Sequence, residues 1–226
     1  MQLISSVHPS DCSPWEYADR PKREVILQER TLDILVQLEQ HTIDTLESAA
    51  DTRPIHGYLF SLLTPREQIY YAGHYRGEEF RCLKNYPVGI EGEPDIGLHP
   101  SRVVETMDKI ALRIRQGVKA LDTTHQLSDS QISPEDKLLN TVVFACRVFD
   151  AFLRVHPYAN GNGHAARFIV WAILGRYGYW PTRFTIEPRP NYPLYAWAIN
   201  EYRKGNRQPL EDYILTCIVG DSQLPV

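Results

Sequence analysis

Apolar residues recur at helical spacing along most of the chain. Between residues 25 and 49 the period runs through Leu32, Leu35, Leu38, Ile43 and Leu46, which predicts one long helix ended by Arg53-Pro54. A shorter apolar segment follows at residues 58 to 63. Pro100-Ser101 opens a second long helix, with Val103, Val104, Met107, Ile110, Ile114, Val118 and Leu121 on one face. Ser133-Pro134-Glu135-Asp136 supplies a hydroxyl cap, a proline at the first helical position and acids in the first turn. The helix it starts passes through Leu138, Val142, Cys146, Phe149 and Leu153 and carries His156 to its C-terminal end. A further helix is predicted over residues 164 to 177, stopped by Gly178. Two more patterns, at 193 to 202 and 210 to 219, are separated by Lys204-Gly205-Asn206.

Two stretches depart from that rhythm. Residues 1 to 23 hold Pro9, Pro14 and Pro21 among polar residues and read as an irregular arm, anchored by Trp15 and Tyr17. Residues 68 to 97 contain six glycines or prolines between Gly73 and Pro94, with aromatic and β-prone runs between them. That composition predicts a β-hairpin or extended flap. The expected fold is therefore mainly α, a helical bundle with a β-hairpin flap. Residues 1–54 form an arm and helix packed on a single unit spanning 55–220, with no internal repeat.

At 226 residues, 43% hydrophobic and 23% charged, the chain has the make-up of a globular domain with a full core. A formal charge of −4 and no Lys/Arg-rich stripe argue against nucleic acid as a partner. No run of apolar residues is long enough for a membrane span, and no basic segment with an apolar run opens the chain. A cytoplasmic location is expected, or secretion by a route that reads other signals. Cys12, Cys82, Cys146 and Cys217 form no C-x-x-C pair, which predicts buried reduced thiols.

Candidate chemistry concentrates in residues 156 to 167, His-Pro-Tyr-Ala-Asn-Gly-Asn-Gly-His-Ala-Ala-Arg. Gly161 and Gly163 let the backbone approach a ligand closely. The helix that follows offers unpaired N–H groups and a positive dipole end to an anion. His156 stands just before this turn, where an imidazole can take a proton from an attacking hydroxyl. Taken singly, each feature has a duller meaning: Gly-Asn-Gly is a common turn, and a histidine at a helix C-terminus favours the dipole. Tyr177, Tyr179 and Trp180 read as packing residues. His8, His41, His56, His74, His99 and His125 lack metal-ligand spacing and read as surface or hydrogen-bonded residues.

The loop resembles the signature of Fic domains, H-x-F-x-D/E-G-N-G-R-x-x-R. His156, the aromatic Tyr158, Gly161, Asn162, Gly163 and Arg167 match, whereas Asn160 replaces the acid and His164 replaces the first arginine. Gly73-His74-Tyr75-Arg76, Met107 and the tail from Asn200 to Leu210 are similar to landmarks of the same family, so the resemblance covers residues 58 to 219. It implies a transferase moving AMP, or a related phosphate-containing group, from ATP to a target-protein hydroxyl, with His156 as general base. Asn160, Gly161, Asn162, Gly163, His164 and Arg167 would bind the nucleotide's phosphates. Tyr75 and Arg76 would belong to the flap on which the target protein docks.

The two departures each remove a charge. Mg²⁺ prefers carboxylate and phosphate oxygens, so Asn160 is a weaker ligand than the acid it replaces. His164 offers an imidazole where the family has a guanidinium. The implied alternatives are a slower enzyme, a different donor such as a phosphocholine compound, or a lapsed Fic-fold binding or regulatory protein. In many relatives a glutamate in an S/T-x-x-x-E-G/N context blocks the first arginine. No glutamate here has that context, which predicts no such internal restraint and leaves room for a separate inhibitor protein.

Overall fold

The computed structural model describes residues 12, 14–89, 96–190 and 193–219. Eight α-helices form among them: α1 (Arg23–Glu39), α2 (Thr45–Ala50), α3 (Arg53–Phe60), α4 (Pro100–Gln126), α5 (Pro134–Val155), α6 (Asn162–Gly175), α7 (Leu194–Arg203) and α8 (Gln208–Val219). Short 3₁₀ turns occupy Tyr17–Asp19 and Arg66–Tyr71. Every residue of α6 except Gly163 is buried. A helix apolar on all sides has to lie at the centre of a bundle, and α6 packs against α5, α2, α1 and α3. α4 lies on α5 and α2, while α7 and α8 pair with each other and close over α5.

The long helix expected over residues 25 to 49 is two helices. Asp44 caps α2 by accepting the N–H groups of Leu46 and Glu47, and His41 takes a left-handed φ of 55° between α1 and α2. Arg53-Pro54 does not end a helix but starts α3, where proline's missing N–H costs nothing. α5 begins as expected, with the Ser133 hydroxyl accepting the Asp136 N–H.

The β-hairpin flap is corrected: no strand forms among the described residues of the 68–97 segment, and residues 90–95 lie outside them. Backbone groups that a hairpin would pair with each other bond to the end of α5 instead. Arg76 N–H donates to Pro157 O, Gly97 N–H to Arg154 O and Leu98 N–H to Val155 O. The segment is thereby laid flat on the body, with Tyr71, Tyr75, Leu83 and Tyr86 buried.

The cysteine expectation holds for Cys146 and Cys217, whose thiols are buried and outside any disulfide among the described residues. It fails for Cys12 and Cys82, which form a disulfide across a sequence separation of 70 residues. Chain folding brings the two together, and their spacing in sequence carries no trace of it.

Candidate functional site

α5 ends at His156, whose backbone turns left-handed at φ 50° and ψ 62°. Its Nδ1–H donates to Leu153 O at 2.5 Å, which fixes the tautomer and leaves the lone pair on Nε2. Burial lowers the ring's pKa to about 4, helped by the charges of Arg76 and Arg203 and opposed by the Leu153 bond. The imidazole is therefore neutral near pH 7.

The turn beyond it is closed by one side chain. Asn162 Oδ1 accepts the Tyr158 N–H at 2.8 Å, and Nδ2 donates to Tyr158 O at 2.9 Å. Both ends of that amide serve the loop, so what Asn162 offers outward is its backbone. α6 starts at Gly161 (φ 75°) with no side-chain cap, and the N–H groups of Asn162 and Gly163 have no acceptor among the described residues. Arg167 is 2% exposed; its Nε and Nη2 donate to Ile186 O, while Nη1 lies against Gly163 with no acceptor among the described residues. Two amides and one guanidinium nitrogen thus converge on the start of α6, an arrangement suited to anionic oxygens.

His56, read from sequence as a surface or satisfied histidine, is the strut under this turn. Its ring stacks on Tyr158 with centroids 3.7 Å apart. Nδ1 accepts the Gly73 N–H, so Nε2–H donates to Asn160 O at 2.9 Å. Burial takes its pKa down to about 3. Thr52 Oγ1, 2.7 Å from the Tyr158 hydroxyl, completes the support from α3. A lone histidine in an apolar helix carries no sequence signal for that role.

Both positions that depart from the signature touch other parts of the chain. Asn160 Oδ1 accepts the Gly161 N–H, and Nδ2 donates to Trp15 O at 2.8 Å and Glu16 Oε2 at 3.3 Å. His164 Nε2–H donates to Glu187 Oε2 at 2.7 Å, and its ring lies edge-on to Tyr17 and Phe60. Burial holds the His164 pKa below its ordinary value despite the Glu187 carboxylate. Burial pushes Glu187 up, but His164, Arg167 and Arg23 outweigh it and keep the carboxyl below its ordinary range. The pair is a neutral imidazole donating to an ionised acid. The sequence offered no reason to expect a glutamate against His164; Glu187 arrives from the loop after α6.

These residues do not fit a protein-held Mg²⁺. Asn160's amide is engaged at both ends, and no group of three or more His, Cys, Asp or Glu among the described residues could hold a metal.

Tyr75 and Arg76 lie inside the molecule, not on an exposed strand edge. Arg76 is fully buried and gives hydrogen bonds to four carbonyls: His156, Tyr86, Leu98 and Val155. It neutralises the open carbonyls at the end of α5 and so fixes the backbone of His156. Tyr75 packs 5.1 Å from Tyr158, beneath the Arg53 guanidinium.

The central helix α6 thus begins at a glycine-bounded, uncapped N-terminus that follows the neutral, half-buried imidazole of His156. No protein-family model matches the chain. It is 28% identical over 90 residues to Protein adenylyltransferase Fic of Nematostella vectensis, covering 40% of this chain and 20% of that protein. It is 29% identical over 80 residues to the protein of the same name from Culex quinquefasciatus, covering 35% and 15%. The matched segment thus spans a fifth or less of these curated relatives. Among solved structures, BepC, a VirB-translocated effector of Bartonella tribocorum crystallised with AMPPNP, superposes with a TM-score of 0.55 at 20% identity, over 83% of this chain and 84% of that one. The chain is a distant relative of the Fic adenylyltransferases and shares the fold of BepC.

Proposed function

We propose that this chain transfers AMP, or a related phosphate-containing group, from a nucleotide to a hydroxyl of a target protein. The observation that carries the reading is the pairing of His156, neutral with an open Nε2, with the unpaired Asn162 and Gly163 amides and Arg167 Nη1. The target hydroxyl oxygen bonds to the α-phosphorus, the bond from that phosphorus to the bridging oxygen breaks, and pyrophosphate leaves. Nε2 receives the hydroxyl proton, and the amides and Arg167 receive the phosphate oxygens. AMPPNP in the BepC crystal structure supports a nucleotide as the donor's class. Phosphocholine donors remain within the same chemistry, since the attacked atom is again phosphorus.

A second reading, a Fic-fold binding or regulatory protein with little turnover, is favoured by the engagement of Asn160 and His164 with Trp15 and Glu187. Incubation with labelled ATP and CDP-choline, followed by mass spectrometry of the protein itself and of added lysate, separates the two. Transfer by the native chain, reduced about 10²–10⁴-fold in His156→Ala, supports the enzyme. Labelling unchanged in His156→Ala removes the base from the mechanism. Activity that arises only in Asn160→Asp/His164→Arg supports the binding protein.

A further inference from the structure

Both signature positions that depart from the family pattern touch the N-terminal arm. Asn160 holds the Trp15 carbonyl and reaches the Glu16 carboxylate, and His164 lies against Tyr17. The arm is seated through Trp15 and Tyr17. Trp15 N–H donates to the Tyr86 hydroxyl and its indole N–H to Leu63 O; its ring, 1% exposed, packs among His56, Phe60 and Tyr71. Tyr17 lies against Phe60. Ahead of Trp15 the described chain reaches Cys12, joined to Cys82. Cys82 belongs to the turn in which Gly77 N–H bonds to Leu83 O, next to the Arg76 that fixes His156.

We infer that the Cys12–Cys82 disulfide is a redox latch, which holds residues 15–17 across the signature turn at Asn160 and His164 and frees them when it is reduced. With the bond formed, the arm is pinned at both ends, by the disulfide and by α1. With it broken, the segment before α1 is held by the buried Trp15 ring, by the packing of Tyr17 on Phe60 and His164, and by hydrogen bonds from Trp15 N–H and its indole N–H and from Asn160 Nδ2 to Trp15 O and Glu16. Loss of the cross-link returns conformational entropy to a segment outside the helices, which favours fraying. The step is a two-electron exchange with a dithiol. One reductant thiolate attacks a sulfur of the pair, the Cys12–Cys82 bond breaks, and a mixed disulfide forms. The reductant's second thiol then attacks that mixed disulfide. The products are two cysteine thiols, which take up two protons, and the oxidised reductant.

Opening would uncover Asn160, His164 and the seat beside them. This consequence rests on the proposed function, whereas the latch itself does not. Hydrogen–deuterium exchange of the full chain, oxidised and after dithiothreitol, tests the latch without any nucleotide. Mass after alkylation of the unfolded protein confirms cleavage, since the reduced form takes two more labels than the oxidised one. Slow exchange at core amides of α5 and α6 confirms that the fold persists, and Cys12→Ser provides a second route to the open form. The expected result is at least tenfold faster exchange at the Trp15 amide, which the Tyr86 hydroxyl accepts, on reduction and in Cys12→Ser, with α5 unchanged. Unchanged exchange at Trp15 with the disulfide shown to be cleaved overturns the latch, as does loosening spread equally over α5 and α6. AMPPNP binding is then measured on both forms. At least tenfold tighter binding when reduced supports a latch that guards the seat, and equal binding with the arm freed overturns that role. Failure of either form to bind AMPPNP while the arm is freed leaves the latch standing and overturns the donor reading.

Discussion

Replacing Arg76 with methionine separates a buried structural guanidinium from an exposed flap residue. The side chain gives four hydrogen bonds of 2.8–3.0 Å to carbonyls. Hydrogen bonds from a charged donor contribute about 1.5–3 kcal/mol each, so the gross loss is about 6–12 kcal/mol. Against this stands the cost of burying the charge, which lowers the Arg76 pKa to about 10 and amounts to about 3 kcal/mol. Methionine fills most of the volume, and local relaxation lets water reach some of the carbonyls. The net expectation is a destabilisation of about 3–5 kcal/mol, the range found when one partner of a buried charged network is removed. At ~2–4 °C per kcal/mol for a chain of this length, the melting temperature falls by about 6–20 °C. Arg76→Lys, with one ammonium for four acceptors, lies in between. Chemical unfolding of the three proteins measures the series. A methionine variant within about 1 kcal/mol of the native chain would refute the reasoning and return Arg76 to a surface role.

Acid should unfold the protein through two desolvated histidines, the buried His56 and the half-buried His156. His156 and His56 have folded pKa values of about 4 and about 3, against about 6.5 unfolded, so the unfolded chain binds more protons between those limits. Their contribution is complete above pH ~6.5 and is lost as pH falls toward 4; His156→Gln should lower the slope of unfolding free energy against pH by about one proton, and an unaltered slope would contradict the assignment. The acidic limb of any transfer activity should likewise fall near the His156 value of about 4, not near 6.5. Gly161→Ala places a Cβ 2.5 Å from the Phe60 ring and 2.9 Å from His56 Nε2 at a φ of 75°, for a loss of about 2–4 kcal/mol. Gly178→Ala, at φ 79° with open space around it, should lose only about 1–2 kcal/mol; equal losses at the two sites would exclude the close packing. Asn160→Asp turns a donor into a carboxylate facing the Trp15 carbonyl and Glu16, which should weaken the arm's seat by about 1–3 kcal/mol. Faster exchange at Trp15 checks it, and native protection in the variant would count against the contact.

What was legible in the sequence was local. α4 and α5 follow from an uninterrupted apolar period and from caps a few residues long, and His156 falls at the end of α5 because Val155 is the last helical residue. The break between α1 and α2 was hidden because Ile43 and Leu46 keep the apolar period running through it, although Asp44-Thr45-Leu46-Glu47 is a cap signal. Glycines and aromatics between residues 68 and 97 have the composition of a hairpin, yet their hydrogen bonds end on α5, a partner that no short window contains. The same limit applies to the site. The glycines and the histidine of the loop stand out, but the roles of His56, Glu187 and Trp15 depend on contacts 23 to 145 residues away. Asn162 shows the converse. Its identity was legible and its side-chain task was not, because an amide that closes a turn and one that faces a ligand look the same in sequence.

Asn160, His164 and the arm depend on one another physically. An acid at position 160 would face a carbonyl and a carboxylate of the arm, and a guanidinium at 164 would have to enter the space that Tyr17 and Phe60 leave for an imidazole. Each departure thus gives up a charge and gains a contact with the arm. The electrostatic result follows from the same atoms. With the arm seated, the ionised Glu187 opposes the nearby charges of Arg167 and Arg23, and Glu16 adds an acid beside Asn160. Movement of the arm would take that acid away from the turn that leads into α6. An anion's access to the seat and its attraction to the seat would then rise together, because both are governed by residues 15–17.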